Sequence, residues 1–449
     1  MSTVPTAELP AVVIGAGPSG LAAAAHLRSR DIPVVVLEAG PAVGAAVREW
    51  GHVRLFSAWS ELVDPAAEEL LAASGWGAPH PKRYPTGNDW VGSYLQPLAD
   101  VLGDSVRLST KVLAVTRAGR DRLVSSGRET SAFVVHVETP DGRETVRARA
   151  VVDASGTWTR PNPLGSDGFP AIGETENASR ISYRMPDLAD EAVAARYAGK
   201  HVVVAGSGAS AKGVLIGLVA LAKQHPETRI SWLVRRPSVN ATFAGSGQDE
   251  LPARGELGQL AKDAVENGPV TTVNSFRTAR IDTDAHGRLT LNSDKGAQVT
   301  DVDDVVVLTG FRPDLSFLSE LRLDLDPVLE SPRTLAPLID PNEHSCGTVY
   351  PHGAAELAQP EPGFYPVGMK SYGRATSFLA LTGFEQTRSV AAAIAGDHEA
   401  AARVELTLPD TGVCGGAGTF EDEAGTDGGG CCGAPAGPAT VDLVGLTSR

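Results

Sequence analysis

Three glycines near the start of the chain have the spacing that holds a phosphate group. Gly15, Gly17 and Gly20 follow the apolar run 12–14 and stand where an alanine-rich helical pattern begins. In such a turn the first glycine permits a tight bend, the second lets a pyrophosphate approach the backbone, and the third lets the helix pack on the strand. The start of the helix, which includes Ser19, then offers N–H groups to the phosphate. The sequence therefore predicts a dinucleotide site here.

Glu38 indicates which dinucleotide this first site takes. It directly follows the next apolar run, Val34–Leu37. A carboxylate at this place accepts hydrogen bonds from ribose hydroxyls and favours a ribose without a 2′-phosphate. We therefore expect FAD or NAD, rather than NADP, at the first site.

A second glycine turn repeats this pattern in the middle of the chain. Gly206 and Gly208 follow the apolar run His201–Ala205, and Ser210 precedes a helical pattern over 211–222. The same order of strand, turn and helix predicts a second dinucleotide site.

Two arginines distinguish the second site from the first. Arg235 and Arg236 follow the strand 230–234, at the place where the first site has its acid. A guanidinium can clamp phosphate oxygens with its planar fork, which suits a 2′-phosphate. The alternative is that two surface arginines simply end a strand. The economical assignment is FAD at the first site and NADPH at the second, with reducing equivalents passing from nicotinamide to flavin.

The elements around the two turns predict an α/β fold. Strand–helix–strand repeats build parallel sheets that are covered on both faces. We predict strands over 12–14, 34–37, 133–138, 149–153, 201–205, 229–234 and 303–308, with helices over 21–27 and 211–222.

Composition and charge exclude several classes of function. The chain has 449 residues, of which 42% are hydrophobic and 21% charged, as is typical of globular proteins. Its 39 basic and 54 acidic residues give a net charge of −15, which argues against binding to nucleic acid or to an anionic membrane surface. The apolar run 214–222 is too short to span a bilayer, and residues 1–10 lack the pattern of a signal peptide. We expect a cytoplasmic protein.

Taken together, the two turns resemble those of flavoproteins with two dinucleotide-binding domains. Over residues 10–396 the chain is similar to flavin-containing monooxygenases and the related Baeyer–Villiger enzymes, and especially to the bacterial flavoproteins associated with arsenic-resistance operons. The motifs that carry this resemblance are VRLFS at 53–57, YPTG at 84–87, DASGT at 153–157, WTRPNP at 158–163, LTGFRPD at 308–314 and GMKSYGR at 368–374.

The resemblance implies two Rossmann-like domains, one inserted into the other. The FAD-binding domain would comprise residues 1–163 and 302–396, the NADPH-binding domain residues 164–301, and a tail residues 397–449. Gly156 and Gly310 would lie where the chain crosses between the domains. Gly368 and Gly383 would belong to the flavin site, and a helix that begins near Gly383 would direct its N-terminus at the isoalloxazine.

Lys370, Ser371 and Tyr372 are the candidate catalytic residues. They follow Gly368 in a segment that the resemblance places against the flavin, where they would hydrogen-bond the flavin or a substrate. A purely structural role is the alternative. The resemblance implies an FAD-dependent, NADPH-oxidising monooxygenase that transfers one oxygen atom of O2 to a small molecule with a soft nucleophile or a carbonyl.

Three positions differ from the pattern of these monooxygenases and leave a second function open. Asn177 stands four residues after Gly173, where the pattern has a histidine; the segment 56–64 has no asparagine; and Ala209 replaces a frequent histidine in the second turn. The same cofactor sites would serve an NADPH-dependent flavin reductase or oxidase that does not oxygenate a substrate. The sequence contains no Cys-x-x-Cys pair, which disfavours a reductase that works through an adjacent disulfide.

Three of the four cysteines lie in a glycine-rich tail. Cys414, Cys431 and Cys432 belong to the segment 401–449, which contains 11 glycines, and this composition predicts a flexible tail. Their thiolates suit soft ions such as As(III), Hg(II) or Cu(I). A tail without any ligand is one alternative, and a metalloid-binding protein that acts through these thiols is another. Cys346 stands alone and is interpreted as a loop residue.

Overall fold

The computed structural model describes residues 6–243, 252–342, 351–376 and 378–406. Within these ranges, no helix combines the length and the apolar character that crossing a bilayer requires. In chain order the strands are β1 (Ala11–Ile14), β2 (Val34–Leu37), β3 (Val106–Arg107), β4 (Lys111–Arg117), β5 (Phe133–Thr139), β6 (Gly142–Ala148), β7 (Ala150–Asp153), β8 (Ile181–Ser182), β9 (His201–Ala205), β10 (Arg229–Leu233), β11 (Val270–Val273), β12 (Thr278–Thr283), β13 (Leu289–Ser293), β14 (Gln298–Val302), β15 (Asp304–Val307) and β16 (Phe364–Pro366).

Helices occupy much of the chain between these strands. The α-helices are α1 (Pro18–Arg28), α2 (Ala45–Glu49), α3 (Pro65–Ala72), α4 (Gly87–Trp90), α5 (Gln96–Leu102), α6 (Glu191–Tyr197), α7 (Ala209–Gln224), α8 (Pro252–Asn267), α9 (Ala336–Ile339), α10 (Ala354–Leu357), α11 (Met369–Tyr372), α12 (Ala380–Ala395) and α13 (His398–Ala402). Tighter or wider turns of helix occur at Thr6–Glu8, Trp59–Glu61, Val91–Leu95, Gly103–Ser105, Ala178–Arg180, Asn240–Thr242 and Ser316–Leu318.

The first parallel sheet carries the first glycine turn. Its strand order is β16-β7-β1-β2-β3, with Ala11 paired to Val34 on one side and to Ala150 on the other. All four residues of β1 are buried, because helices cover one face of the sheet and the antiparallel sheet β4–β6 covers the other. Short β-branched strands that are buried on both faces are typical of such a sheet.

The second parallel sheet repeats this arrangement around the second glycine turn. Its order is β11-β10-β9-β15-β8, with Val202 paired to Ile230 and to Asp304. Helices α6, α7 and α8 pack on one face, and the antiparallel sheet β12–β14 packs on the other. The predicted α/β class with two Rossmann-like sheets is therefore confirmed.

The strands of the second sheet lie in the chain between β7 and β16 of the first sheet. The domain limits that we expected from the resemblance stay a prediction. The strand β15 follows the expected return to the FAD-binding domain at residue 302, yet its backbone pairs with β9 and it belongs to the second sheet.

A buried carboxylate fixes the sheet β4–β6 to the strand β16. Glu361 is 1% exposed and accepts hydrogen bonds at 2.7 Å from Nε of Arg117 and from Nη2 of Arg128. Burial opposes the ionisation of Glu361. The hydrogen bonds from Arg128, from the N–H of Arg322 and from Arg117 outweigh burial and lower the pKa of Glu361.

Candidate functional site

One large cavity lies between the two parallel sheets and receives both glycine turns. Its volume is about 2340 Å³, and its wall includes Gly15, Gly17, Gly206 and Gly208. Pockets for single small molecules measure about 300–1,000 Å³. The cavity therefore has room for two dinucleotides.

The first glycine turn has the geometry that its sequence predicts. Gly15 has a φ of +98°, and a Cβ added there would lie 2.8 Å from the carbonyl oxygen of Ala154. A Cβ at Gly20 would lie 1.9 Å from the carbonyl oxygen of Gly15, so the helix α1 and the turn touch here. A Cβ at Gly17 would meet no atom within 4 Å. Gly15 and Gly20 thus serve the backbone, whereas Gly17 leaves open space beside the start of α1.

Ser19 lies against two other predicted site residues, Gly368 and Gly383. A Cβ added at Gly368 would lie 2.6 Å from its Oγ, and one added at Gly383 would lie 2.8 Å from it. The start of α1, the turn at Gly368 and the first turns of α12 therefore pack together. Ser19 and Gly368 line the cavity, but Gly383 is absent from its lining. Gly383 thus packs beside the cavity, and its place in the flavin site stays a prediction.

The carboxylate of Glu38 is held at the cavity wall by backbone N–H groups. Ala16 donates to Oε2 and Gly40 donates to Oε1, both at 2.8 Å. Glu38 is half-buried and lines the cavity. Each oxygen keeps a lone pair for a further donor, as a ribose hydroxyl would require.

The second glycine turn repeats the features of the first. Gly206 has a φ of +125°, and a Cβ there would lie 2.3 Å from the carbonyl oxygen of Leu308. Gly208 precedes the first residue of α7, and a Cβ at Gly208 would meet no atom within 4 Å. Ser210, in the first turn of α7, lines the cavity. The space at the start of α7 is open, as it is at the start of α1.

Arg235 and Arg236 line the cavity beyond the end of β10. Arg235 is exposed, yet desolvation of its guanidinium and the neighbouring Arg277 lower its pKa. Repulsion from a second cation is relieved when an anion binds between the two. This rim of the cavity therefore favours an anionic group.

Gly156 and Gly310 lie on two chain segments that run between the sheets, and both line the cavity. The segments pair with each other: the N–H of Asn162 donates to the carbonyl of Gly310 at 2.9 Å, and Pro161 and Phe311 form an antiparallel bridge. The two segments thus form a two-stranded connection between the halves of the molecule.

Lys370 is buried behind the cavity wall. It is 2% exposed and absent from the lining of the cavity. Its Nζ lies 3.4 Å from Oδ2 of Asp153 and donates to Oγ of Ser155 at 3.1 Å and to the carbonyl of Asp314. The ammonium therefore ties the end of β7 to a later loop.

Ser371 and Tyr372 are also buried and absent from the lining. Ser371 donates to the carbonyl of Gly368 at 2.8 Å, and Gln386 donates to Ser371 at 2.9 Å. The ring of Tyr372 packs edge-on against Phe378, and burial raises the pKa of Tyr372.

None of these three side chains lines the cavity, and their contact with the flavin stays a prediction. Gly368 and Met369 line the cavity, but the side chains of Lys370, Ser371 and Tyr372 are buried and do not line it, because α11 packs beneath the turn. The geometry gives Lys370, Ser371 and Tyr372 a supporting role.

Sequence reasoning missed two features of the wall. His52 lines the cavity, and its buried Nε2 has no hydrogen-bond partner among the described residues. Arg184 packs over the indole of Trp158 at the edge of the cavity. The motif that contains Trp158 pointed to this place, but nothing in the sequence pointed to Arg184.

The predicted metal ligands Cys414, Cys431 and Cys432 lie outside the described residues, as does Cys346. Within the described ranges, no cluster of three or more His, Cys, Asp or Glu side chains could hold a metal ion. The metal site of the tail stays a prediction.

Comparison with known proteins points to a family. The sequence model of the family described as pyridine nucleotide-disulphide oxidoreductase matches residues 12–348, which is well over half of the chain. A curated relative, indole-3-pyruvate monooxygenase YUCCA1 of Oryza sativa subsp. japonica, is 29% identical over 210 residues, or 46% of this chain and 44% of that protein. The chain thus matches less than half of that relative's length.

Solved structures share the fold over nearly their whole length. The bacillithiol disulfide reductase Bdr (YpdA) from Bacillus cereus has a TM-score of 0.64 and 20% identity, over 86% of this chain and 99% of that chain. The ornithine N-hydroxylase KtzI of Kutzneria sp. 744, with reduced FAD and NADP+, has a TM-score of 0.54 and 16% identity, over 87% of this chain and 99% of that chain. At sequence identities this low, the similarity to these structures shows a shared fold and nothing further.

Proposed function

Because the chain belongs to the pyridine nucleotide-disulphide oxidoreductase family and is therefore an enzyme, we propose that it is an FAD-dependent, NADPH-oxidising monooxygenase. Its substrates would be O2 and a small molecule with a soft nucleophile or a carbonyl. The observation that carries this proposal is a single cavity that receives two open glycine turns, one followed by Glu38 and the other by Arg235 and Arg236.

The residues present fit both cofactors. At Gly17 and at Gly208 the backbone leaves space that a side chain would fill, and each position precedes the start of a helix. Backbone N–H groups at a helix start bind phosphate. When bound, FAD would supply the redox chemistry and NADPH the electrons.

Each site has a group that orients the sugar end of its nucleotide. Glu38, fixed by the N–H groups of Ala16 and Gly40, would accept hydrogen bonds from ribose hydroxyls of FAD. Arg235 and Arg236 would donate to the 2′-phosphate of NADPH. The negative charge of Glu38 at the first site and the positive charges of Arg235 and Arg236 at the second would direct each nucleotide to its own site.

Aromatic and apolar side chains of the wall would keep water from the reacting region. Trp50, Phe56, Trp158, Phe311 and Phe378 all line the cavity. Such a wall favours transfer between bound partners over side reactions with solvent.

A reductase or oxidase without substrate oxygenation is the second candidate. Asn177, at the position where the monooxygenases have a histidine, donates to the carbonyl of Gly173 at 2.8 Å and accepts from Thr283 at 2.8 Å, and it does not line the cavity. Phe56 and Ser57 line the cavity in the segment where the monooxygenases carry an asparagine. These differences favour simple transfer of electrons to O2 or to another acceptor.

We also propose that the enzyme is linked to arsenic resistance. It rests on the resemblance of the sequence motifs, together with the soft thiolates of the tail. An arsenic compound would then be a substrate, or As(III) a ligand of the tail.

The deciding experiment measures NADPH oxidation, O2 uptake and hydrogen peroxide together, with and without a panel of thioethers, amines, ketones and trivalent arsenic compounds. For a monooxygenase, at least one compound lowers the peroxide formed per NADPH and gives an oxygenated product. If peroxide accounts for all NADPH with every compound, the enzyme is an oxidase. If neither O2 nor peroxide changes while NADPH is consumed with an added acceptor, it is a reductase.

A further inference from the structure

Four side chains from four chain segments meet beside the cavity, where the two halves of the molecule join. Glu49 ends α2, Trp158 and Phe311 lie on the two connecting segments, and Arg184 follows β8 of the second sheet. We call these four residues the junction cluster.

Arg184 contacts the other three residues of this cluster through its guanidinium. Its Nε lies 3.2 Å from Oε2 of Glu49, and its Nη2 donates to the carbonyl of Trp158 at 2.9 Å. The charged carbon lies 4.1 Å from the centre of the Trp158 ring and 5.4 Å from that of Phe311. A planar guanidinium can combine an ion pair with stacking in this way, whereas an ammonium cannot.

Glu49 and Trp158 complete the cluster. Oε2 of Glu49 also accepts a hydrogen bond from the indole N–H of Trp158 at 2.8 Å. The rings of Trp158 and Phe311 lie 4.7 Å apart. Both aromatic residues and Glu49 line the cavity, so the cluster forms part of its wall.

Two paired chain segments connect the halves of the molecule beneath the cluster. The two segments are joined to each other through Asn162, which donates through Nδ2 to the carbonyl of Thr309 at 3.0 Å and accepts through Oδ1 from Nε of Arg312 at 2.9 Å. A two-stranded ribbon of this kind can bend and twist as a unit. Contacts outside the ribbon, such as those of Arg184 with Glu49, add to what holds the angle between the two halves.

We infer that Arg184 is a positioning residue that holds the second nucleotide site at the distance and angle from the first that transfer of reducing equivalents requires. The inference rests on the proposed function. The side chains of Arg184 and Glu49 are 32% and 54% exposed, so their ion pair stabilises this arrangement only modestly and can break. In this arrangement both glycine turns open into one cavity.

The test uses the purified full chain with its flavin, reduced without oxygen by saturating NADPH in a stopped-flow instrument. The variants are R184A, R184K and E49Q, and the control is R143A. Arg143 forms an exposed ion pair with Glu138 at 3.6 Å on the hairpin β5–β6 and takes no part in the junction cluster. Light-driven reduction of the flavin, which needs no NADPH, is measured on each protein.

Loss of Arg184 should lower the rate constant of flavin reduction at saturating NADPH about five- to thirty-fold. One partly exposed ion pair with its stacking contact can shift the population of the arrangement that permits transfer by about this factor. Flavin content, light-driven reduction and the dissociation constant of NADPH should be unchanged. R184K and E49Q should give intermediate rate constants, and R143A should match the wild type.

Three results would overturn the inference. One is an R184A protein with full flavin and a wild-type rate constant, and another is an effect confined to NADPH affinity. If R184A does not retain flavin, E49Q is measured in its place, because this substitution keeps an acceptor for Trp158 and removes only the charge. The third result is then a wild-type rate constant in E49Q. A wild-type protein that NADPH does not reduce would instead contradict the proposed function.

Discussion

Replacing Gly17 by valine should remove the flavin and leave the fold intact. Gly17 has a φ of −82° and an extended ψ, a conformation that valine adopts readily. A Cβ there would meet no protein atom within 4 Å, so the added methyl groups would enter the space that we assign to the pyrophosphate of FAD. The backbone donors at the start of α1 would then be out of reach of the phosphate.

The expected loss follows from those donors. Two charge-assisted hydrogen bonds contribute about 1.5–3 kcal/mol each, so their loss weakens FAD binding roughly 10²–10⁴-fold. The assay is the ratio of flavin absorbance to protein in purified G17V, followed by titration with added FAD. Circular dichroism of the backbone and the melting temperature of the flavin-free protein report on the fold.

Two further glycines give matched controls. Gly77 is exposed and also meets no atom within 4 Å, so G77V should keep its flavin. At Gly20 the added Cβ would lie 1.9 Å from a backbone oxygen, so G20A should damage the fold itself. A G17V protein with full flavin occupancy would refute the assignment of this turn to FAD.

Three other predictions concern the second site, the core and the tail. Replacing Arg235 and Arg236 together by alanine should lower the ratio of kcat/KM for NADPH to that for NADH by roughly 10–150-fold, the effect of a lost charge-assisted phosphate contact of about 1.5–3 kcal/mol; an unchanged ratio would remove both residues from this role. Because the pKa of Glu361 is lowered in the folded protein, its contribution to stability is present above its usual pKa and is lost as pH falls through the lowered value. The melting temperature of E361Q should therefore fall less than that of the wild type over the acid range, and parallel curves would contradict this. Cutting the chain after Pro409 should leave flavin content and NADPH-driven reduction nearly unchanged but abolish tight As(III) binding, which should weaken at low pH because thiols must lose protons to coordinate; loss of flavin, or equal As(III) binding by both proteins, would contradict this.

The glycine turns and their strands could be predicted from the sequence because their geometry is local. Gly15, Gly17 and Gly20 lie within six consecutive residues, and each position shows the space or the close approach that the spacing predicts. The strands β1, β2 and β9 begin and end within a residue of the predicted limits. A turn of this kind needs no distant partner to define it.

The supporting residues could not be predicted because their partners are distant in the chain. Lys370 follows a glycine that does reach the cavity, but its ammonium is drawn inward by Asp153, more than two hundred positions earlier. Arg184 likewise meets Glu49 and Trp158 only after both sheets have formed. Sequence spacing shows which residues can do chemistry, and tertiary packing decides which of them reach the cavity.

The antiparallel layers were not foreseen either. The strand over 133–138 was predicted, and its residues alternate between buried and less buried in the structure. Its sequence alone did not show that β4–β6 would cover one face of the first sheet. Nor did the sequence show that β15 would pair with β9, since a short apolar strand fits the centre of either parallel sheet.

The central claim is that one cavity brings FAD and NADPH together, and anaerobic titration of the purified protein with NADPH tests it most directly. We expect a yellow protein whose flavin absorbance is bleached by about one equivalent of NADPH, since both carry two electrons. NADH should bleach it far more slowly. A protein that purifies without flavin and takes up none, or a bound flavin that NADPH does not reduce while light-driven reduction succeeds, would show that the cavity does not bring FAD and NADPH together.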